Sequence, residues 1–292
     1  MRTVRTVAQL RHELMPRDGT LSIGLVPTMG AFHEGHLALI RAARERCDLV
    51  VVSLFVNPTQ FEDGVDLSAY PRDEARDAAL AEAQGVHVLF APPVAEVYPD
   101  GFATTVHVAG LTDTLEGAHR PGHFDGVATV VTKLLNAVQP HVAFFGRKDA
   151  QQVAIVRRLV SDLDLPVEID VRPTVRDEDG LALSSRNARL SAGDRRRALA
   201  LSEAVNAFGL DALSGRTVDE ALAAARSMLS EVEVEYVAAV DPETFRPAES
   251  FEGEVLVAVA ARVGDVRLID NLTVPATQRG HADSQRGIPC NA

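Results

Sequence analysis

Val26-Pro27-Thr28-Met29-Gly30-Ala31-Phe32-His33-Glu34-Gly35-His36 is the stretch that decides the fold of this chain. The apolar run Leu21 to Val26 overlaps its start and is short enough for a buried strand. Leu37-Ala38-Leu39-Ile40-Arg41-Ala42-Ala43-Arg44 follows it and opens an amphipathic helix. A glycine-bearing turn joins the two, and two histidines three residues apart share one face of the first helical turn. Free N–H groups and the helix dipole favour anions at such a terminus, so the arrangement suits polyphosphate. A zinc-protease helix needs the second histidine one position later, and a Walker A loop needs a Gly-Lys-Ser/Thr ending; neither is present.

The whole chain sets bounds on that reading. At 292 residues and 46% hydrophobic content it can bury a sizeable core and fits two domains better than one. A net charge of −12 argues against a general nucleic-acid grip, although an acidic protein can still focus a few cations in one cleft. No apolar run approaches the roughly 20 residues of a membrane span, and the N-terminus carries no signal-peptide core. With only Cys47 and Cys290, a disulfide framework is not expected, which points to a reducing cytoplasm.

Taken in order, Thr6-Val7-Ala8-Gln9 reads as a capping box opening a short helix. Asp18-Gly19 should turn the chain into the strand before the histidines. Leu49 to Val56 is apolar nearly throughout, as a strand covered on both faces should be. Asn57 and Gln60 follow at its C-terminal end, where open α/β sheets bind ligands. A helix over 73–84, a strand over 87–91, a charged glycine-rich loop over 116–126 and a buried helix over 127–138 come next. The strand Val142 to Phe145 runs into Gly146-Arg147-Lys148-Asp149, with Asp149 placed to cap the helix that follows to about Leu163. Val167 to Val171 is a further strand. This alternation predicts a doubly wound parallel sheet over residues 1–174. The glycine fingerprint of a dinucleotide fold is absent, so NAD or FAD binding is not expected.

From Thr174 the texture changes. A polar connector holds Ser184-Ser185-Arg186-Asn187; helices are expected after Ser191 and Thr217, then three β-patterned stretches over 232–240, 254–263 and 265–272. Gly264-Asp265 should turn the last two into a hairpin. Residues 175–275 therefore read as a smaller α+β domain, and 276–292 as a mobile tail.

Three segments supply His33, His36, Lys148 and Arg186, a donor set that could surround a triphosphate. Pro27 to His36, the Asn57-Pro58-Thr59-Gln60-Phe61 turn, Arg120-Pro121-Gly122-His123-Phe124-Asp125-Gly126, Lys148-Asp149-Ala150-Gln151-Gln152 and Ser184-Ser185-Arg186-Asn187 form a five-part set. In order and spacing, over roughly residues 1 to 272, this set resembles the pantothenate synthetases (pantoate–β-alanine ligases) of the HxGH nucleotidyltransferase superfamily.

That resemblance implies a Rossmann-like N-terminal domain, a smaller C-terminal domain closing over the cleft, a homodimer, and ATP with Mg²⁺. It implies a two-step reaction in which pantoate is adenylated and β-alanine then displaces AMP. By similarity His33 and His36 contact phosphates, with His36 as proton donor, Lys148 holds phosphate oxygens, and Ser184, Ser185 and Arg186 close on them. Gly146 and Asp149 would meet the ribose, while Met29, Gly30, Val175 and Leu183 would line the nucleotide. Gln60 and Gln152 would clamp pantoate, with Asn57 beside them and Glu116 and Arg120 in support. For the metal the family pattern matches no clear ligand set, and Asp77 is the candidate. Two departures from the family pattern stand out: Leu183 where methionine is common, and Arg147 where an acid is common. Another nucleotidyltransferase of the superfamily, or an inactive nucleotide-binding relative, remains open from sequence alone.

Overall fold

The computed structural model describes residues 1–15, 21–61 and 64–276. The expected Asp18-Gly19 turn, Cys290 and the tail from 277 lie outside the described residues. Strands β1 (Arg2–Val4), β2 (Ile23–Thr28), β3 (Leu49–Leu54), β4 (Val88–Phe90), β5 (Val142–Gly146) and β6 (Glu168–Arg172) form one sheet in the order β1-β4-β3-β2-β5-β6. All of its pairs are parallel. Strand order reverses between β2 and β5, so the loops leaving their C-terminal ends diverge and open a crevice there. The histidine stretch leaves β2, and Arg147-Lys148-Asp149 leaves β5.

The two-residue period of a strand explains how this sheet is covered. Leu25, Val51, Ala143 and Phe145 face a cluster formed with the helices His123–Val138 and Ala150–Asp162. Their neighbours Val26, Val50, Val52 and Phe144 face the other way, onto Leu39, Ile40 and Ala43 of the helix Glu34–Arg46. Both faces are thereby dry, which is why β2 and β3 read as continuous apolar runs.

Several local expectations need correction. β1 was not anticipated; it adds to the edge of β4, pairing Arg2 with Val88 and Val4 with Phe90. The helix expected from Val127 begins at His123. Gly126 lies in its first turn and is glycine because a Cβ there would lie 2.4 Å from the Thr59 carbonyl oxygen. Thr6 does cap Val7–Leu14, accepting from the Gln9 amide, but the Gln9 side chain accepts from Arg5 N–H rather than closing a box on Thr6. Asp149 occupies the cap position of Ala150–Asp162 without making a side-chain capping bond.

The C-terminal part is an antiparallel sheet of β7 (Glu233–Val240), β8 (Val255–Val263) and β9 (Val266–Val274), in that order. Gly264 and Asp265 make the two-residue connection between β8 and β9, as expected. Helices Ala192–Leu213 and Val218–Ser227 cover one face and share a separate core with it, including Leu201, Val205, Phe208, Val257 and Val259. Thr217 and Glu220 form a reciprocal capping box at the start of the second helix. Among the described residues no helix is long and apolar enough to cross a membrane.

Candidate active site

The turn after β2 is held in a costly conformation by one buried carboxylate. Gly30 has φ +88°, and a Cβ there would lie 2.6 Å from Leu54 Cδ1 and 2.9 Å from Asp77 Oδ2. Ala31 follows at φ 53°, a left-handed value that a non-glycine residue adopts only when its surroundings impose it. Asp77, 1% exposed, accepts from Ala31 N at 2.7 Å and from Phe32 N at 2.8 Å. Its oxygens are thus engaged in shaping the turn, and the magnesium candidate of the sequence works as a backbone clamp.

The clamp delivers two imidazoles in a defined tautomer. His33 caps the helix Glu34–Arg46, its Nδ1 accepting from Gly35 N at 3.2 Å, while His36 Nδ1 accepts from His33 N at 3.4 Å. The ring centroids are 4.1 Å apart. With both Nδ1 atoms accepting, the proton of each neutral ring sits on Nε2. Burial, and then the Lys148 charge, lowers His33 to about 4. Burial, then His33 and Lys148, lowers His36 to about 3. At neutral pH the pair therefore consists of N–H donors rather than cations. Formal positive charge in the crevice comes from Lys148 and from Arg120, Arg172 and Arg186.

Lys148 sits in the short 3₁₀ turn Arg147–Asp149 at the end of β5. Among the described residues its amine has no hydrogen bond or ion pair. The backbone beneath it is fixed from the second sheet: Asn271 Nδ2 donates to Lys148 O at 2.7 Å and to Arg147 O at 3.2 Å. Arg186, by contrast, is engaged. It donates to Asp66 Oδ2 at 3.1 Å, and Arg189 approaches the same carboxylate at 3.5 Å. Ser184 accepts from Arg186 N, and Ser185 Oγ donates to the Ala31 carbonyl at 3.3 Å, tying the connector to the histidine turn.

The turn after β3 is built differently. Asn57, 1% exposed, gives Nδ2 to Gln60 Oε1 at 3.0 Å and to Gly126 O at 3.1 Å. Its Oδ1 accepts from Thr59 N, Thr59 Oγ1 and Tyr98 Oη. Asn57, expected beside the substrate, therefore has its polar capacity taken up by the protein, as the brace behind Gln60. Gln60 Nε2 points to Met29 Sδ at 3.0 Å, a weak acceptor that a better oxygen can replace. The adjacent glutamines at the start of Ala150–Asp162 also divide. Gln151 is buried and donates to Leu111 O and Thr114 O, whereas Gln152 faces the cavity.

These groups meet around a cavity of about 250 Å³ lined by Met29, His33, His36, Asn57, Gln60, Arg120, Gly146, Lys148, Asp149, Gln152, Val175, Leu183, Ser184, Ser185 and Arg186. Gly30 is not among its walls; it shapes the turn. A second chamber of about 350 Å³ shares Arg120, His123, Lys148, Gln152 and Arg186 and extends toward the second sheet. Glu116 lies there, 7% exposed, paired with Arg267 through two bonds of 2.7 and 2.5 Å and accepting from Tyr236 Oη at 2.8 Å. Burial opposes its ionisation, but Arg267 and Tyr236 hold its carboxyl below the usual range. Asp66, His123, Arg267 and Asn271 escaped the sequence reading. Only His123 had a local signal, inside the quoted Arg120-to-Gly126 motif. Among the described residues no group of three or more His, Cys, Asp or Glu could hold a metal ion.

The comparisons with known proteins agree with this architecture. The family model described as pantoate-beta-alanine ligase matches residues 2–273. The pantothenate synthetase of Moorella thermoacetica is 50% identical over 281 residues, 94% of this chain and 99% of the relative. That of Chelativorans sp. is 53% identical over 275 residues, 92% of this chain and 96% of the relative. The crystal structure of pantothenate synthetase from Thermus thermophilus superposes with a TM-score of 0.89 at 52% identity, covering 93% of this chain and 99% of that one. The pantoate-beta-alanine ligase of Francisella tularensis, solved with beta-gamma ATP and beta-alanine, matches with a TM-score of 0.78 at 34% identity, covering 93% and 97% of the two chains.

Proposed function

The chain belongs to the pantoate–β-alanine ligase family, and we propose that it joins pantoate to β-alanine through a pantoyl adenylate, releasing pyrophosphate and then AMP. The observation that carries this reading is the division of one crevice. Phosphate-type donors (His33, His36, Lys148, Arg186) line it together with neutral amides suited to a hydroxy acid (Gln60, Gln152). The solved relative from Francisella, which carries a nucleotide and β-alanine, supports the same substrates here.

In the first step a pantoate carboxylate oxygen bonds to the α-phosphorus of ATP, and the bond from that phosphorus to the bridging oxygen breaks. Negative charge moves onto pyrophosphate, where Lys148 and Arg186 stabilise it and the Nε2–H groups of His33 and His36 donate hydrogen bonds. Proton donation from His36 itself requires the phosphates to raise its affinity for a proton well above the value of about 3 that burial and the neighbouring charges set. Gln60 Nε2 is directed at the acid because Asn57 occupies its oxygen. In the second step the β-alanine amine bonds to the acyl carbon, loses a proton, and AMP departs.

Asp149 and Gly146 are assigned to the ribose, and Met29, Val175, Leu183, Ser184 and Ser185 to the rest of the nucleotide. Asp77 is committed to backbone amides, so magnesium is assigned to the phosphates of the incoming nucleotide. Residues 175–275 are assigned to a unit that closes on 1–174, an arrangement supported by the bonds from Ser185 to Ala31 and from Arg186 to Asp66. A homodimer and a cytoplasmic location, which the family resemblance implies, complete the proposal. Incubation of the protein with ATP, β-alanine and a panel of carboxylic acids tests it: pantoate should be selected and AMP formed. ADP as product, or preference for another acid, would contradict it.

A further inference from the structure

The side chain of Gln60 is oriented by Asn57, but its backbone is held by a separate ring of groups. His123 Nδ1 lies 2.8 Å from the Gln60 carbonyl oxygen, and Arg120 Nη2 donates to that oxygen at 3.2 Å. Arg120 Nη1 lies 3.2 Å from His123 Nε2. A carbonyl oxygen can only accept and a guanidinium can only donate, so the tautomer of His123 is determined: Nδ1 carries the proton and Nε2 accepts. This is the reverse of His33 and His36, whose Nδ1 atoms accept.

Burial first, and then the neighbouring Arg120 charge, lowers His123 to about 4, so the ring is neutral at physiological pH. A protonated ring would place an N–H against the Arg120 guanidinium and break the ring of bonds. The same segment meets the turn at Gly126, whose carbonyl accepts from Asn57. The start of the helix His123–Val138 thus grips both the main chain and the brace of the Gln60 turn.

We propose that His123 is a positioning residue for the acid substrate: its Nδ1–H, locked by Arg120, fixes the Gln60 carbonyl and so aims the Gln60 amide into the crevice. This inference rests on the assignment of Gln60 to pantoate. It predicts a stereochemical preference that bulk or polarity alone does not. Asparagine places an N–H₂ near the position of Nδ1, whereas glutamine places one near Nε2.

The test compares His123→Asn, His123→Gln, His123→Ala and Gln60→Ala, with circular dichroism melts to check folding. Initial rates are measured with pantoate varied at saturating ATP, and with ATP varied at saturating pantoate. Loss of one oriented hydrogen-bonded contact should raise the pantoate KM about tenfold in Gln60→Ala, His123→Ala and His123→Gln. The ATP KM should stay within about twofold, and His123→Asn should return the pantoate KM to within about threefold of the parent. Equal defects in His123→Asn and His123→Gln, or parallel rises in both KM values, would overturn the role of His123. So would normal pantoate binding in His123→Ala beside a defective Gln60→Ala, leaving the substrate assignment intact. A Gln60→Ala variant with unchanged pantoate KM would overturn that assignment and this inference together.

Discussion

The two loops that meet at the crevice are built on opposite principles. After β3, Asn57, Gln60, Thr59, Tyr98 and His123 bond to one another and to the main chain, so that side is assembled before any ligand arrives. After β2 and β5, the protein leaves capacity unused: the Lys148 amine has no hydrogen bond or ion pair among the described residues, and the His33 and His36 Nδ1 atoms anchor the rings while Nε2–H stays available. A small hydroxy acid gains from a rigid clamp of neutral amides, because the entropy of ordering that clamp is not charged to binding. A polyphosphate brings enough charge to organise loosely held cations itself. The difference teaches where a substitution should harm chemistry and where it should harm the fold.

The largest effect is expected at Lys148. Lys148→Ala removes a charged donor without unpairing anything, so it should lower the first half-reaction by roughly 10³-fold at unchanged thermal stability. Rapid-quench measurement of adenylate formation checks this, and a melting temperature that falls in step with activity would erase the contrast. His36→Ala should follow at about 10²-fold in kcat, again without loss of fold, since the ring caps rather than fills the core. A wild-type rate would remove His36 from the chemistry.

Across the crevice the pattern should invert. Asn57→Ala leaves Tyr98, Thr59 and Gly126 with unmet hydrogen-bonding groups and should cost about 1–3 kcal/mol of stability as well as weakening pantoate. Urea denaturation decides; an unaltered midpoint would mean that the turn is not prebuilt. Asp66 gives the smallest effect. Its pair with Arg186 is partly exposed, so Asp66→Asn should change stability by less than about 1 kcal/mol. By releasing Arg186 it should lower the ATP KM a few-fold, and a raised ATP KM would show instead that Asp66 orients Arg186 for the nucleotide.

Acid acts on both regions at once. His33, His36 and His123 have folded pKa values of about 4, 3 and 4, all below the unfolded value of 6.5. Stability from keeping them neutral is complete above pH 6.5 and is lost as pH falls from there toward 4 and 3. The slope is about 1.4 kcal/mol per pH unit for each histidine that must stay neutral to remain folded. His36→Gln should flatten this decline measurably in urea titrations between pH 6.5 and 4. An identical slope in variant and parent would contradict burial of a neutral ring.

What was legible in the sequence follows from range. β2, β3 and β5 announce themselves because strands covered on both faces must be apolar throughout, and the histidine turn because its chemistry is contiguous. β1 was not legible: Arg2-Thr3-Val4 is too short to carry a period, and it is a strand only because β4 offers an edge. The start of the helix at His123 was hidden by Gly126, which reads as a loop glycine but serves close approach to Thr59. Asp77 was visible as an acid but not as a clamp, since its partners lie more than forty residues earlier. The Asp66–Arg186 and Asn271–Lys148 contacts join residues more than a hundred positions apart, beyond any local pattern.

Pantoate and ATP should react with each other in this crevice before β-alanine is required. Isotopic exchange of labelled pyrophosphate into ATP measures that step alone. Exchange should depend on pantoate, proceed with β-alanine absent, and vanish in Lys148→Ala while that protein still converts supplied pantoyl adenylate and β-alanine to pantothenate. Exchange without pantoate, or none until β-alanine is added, would contradict the adenylate route.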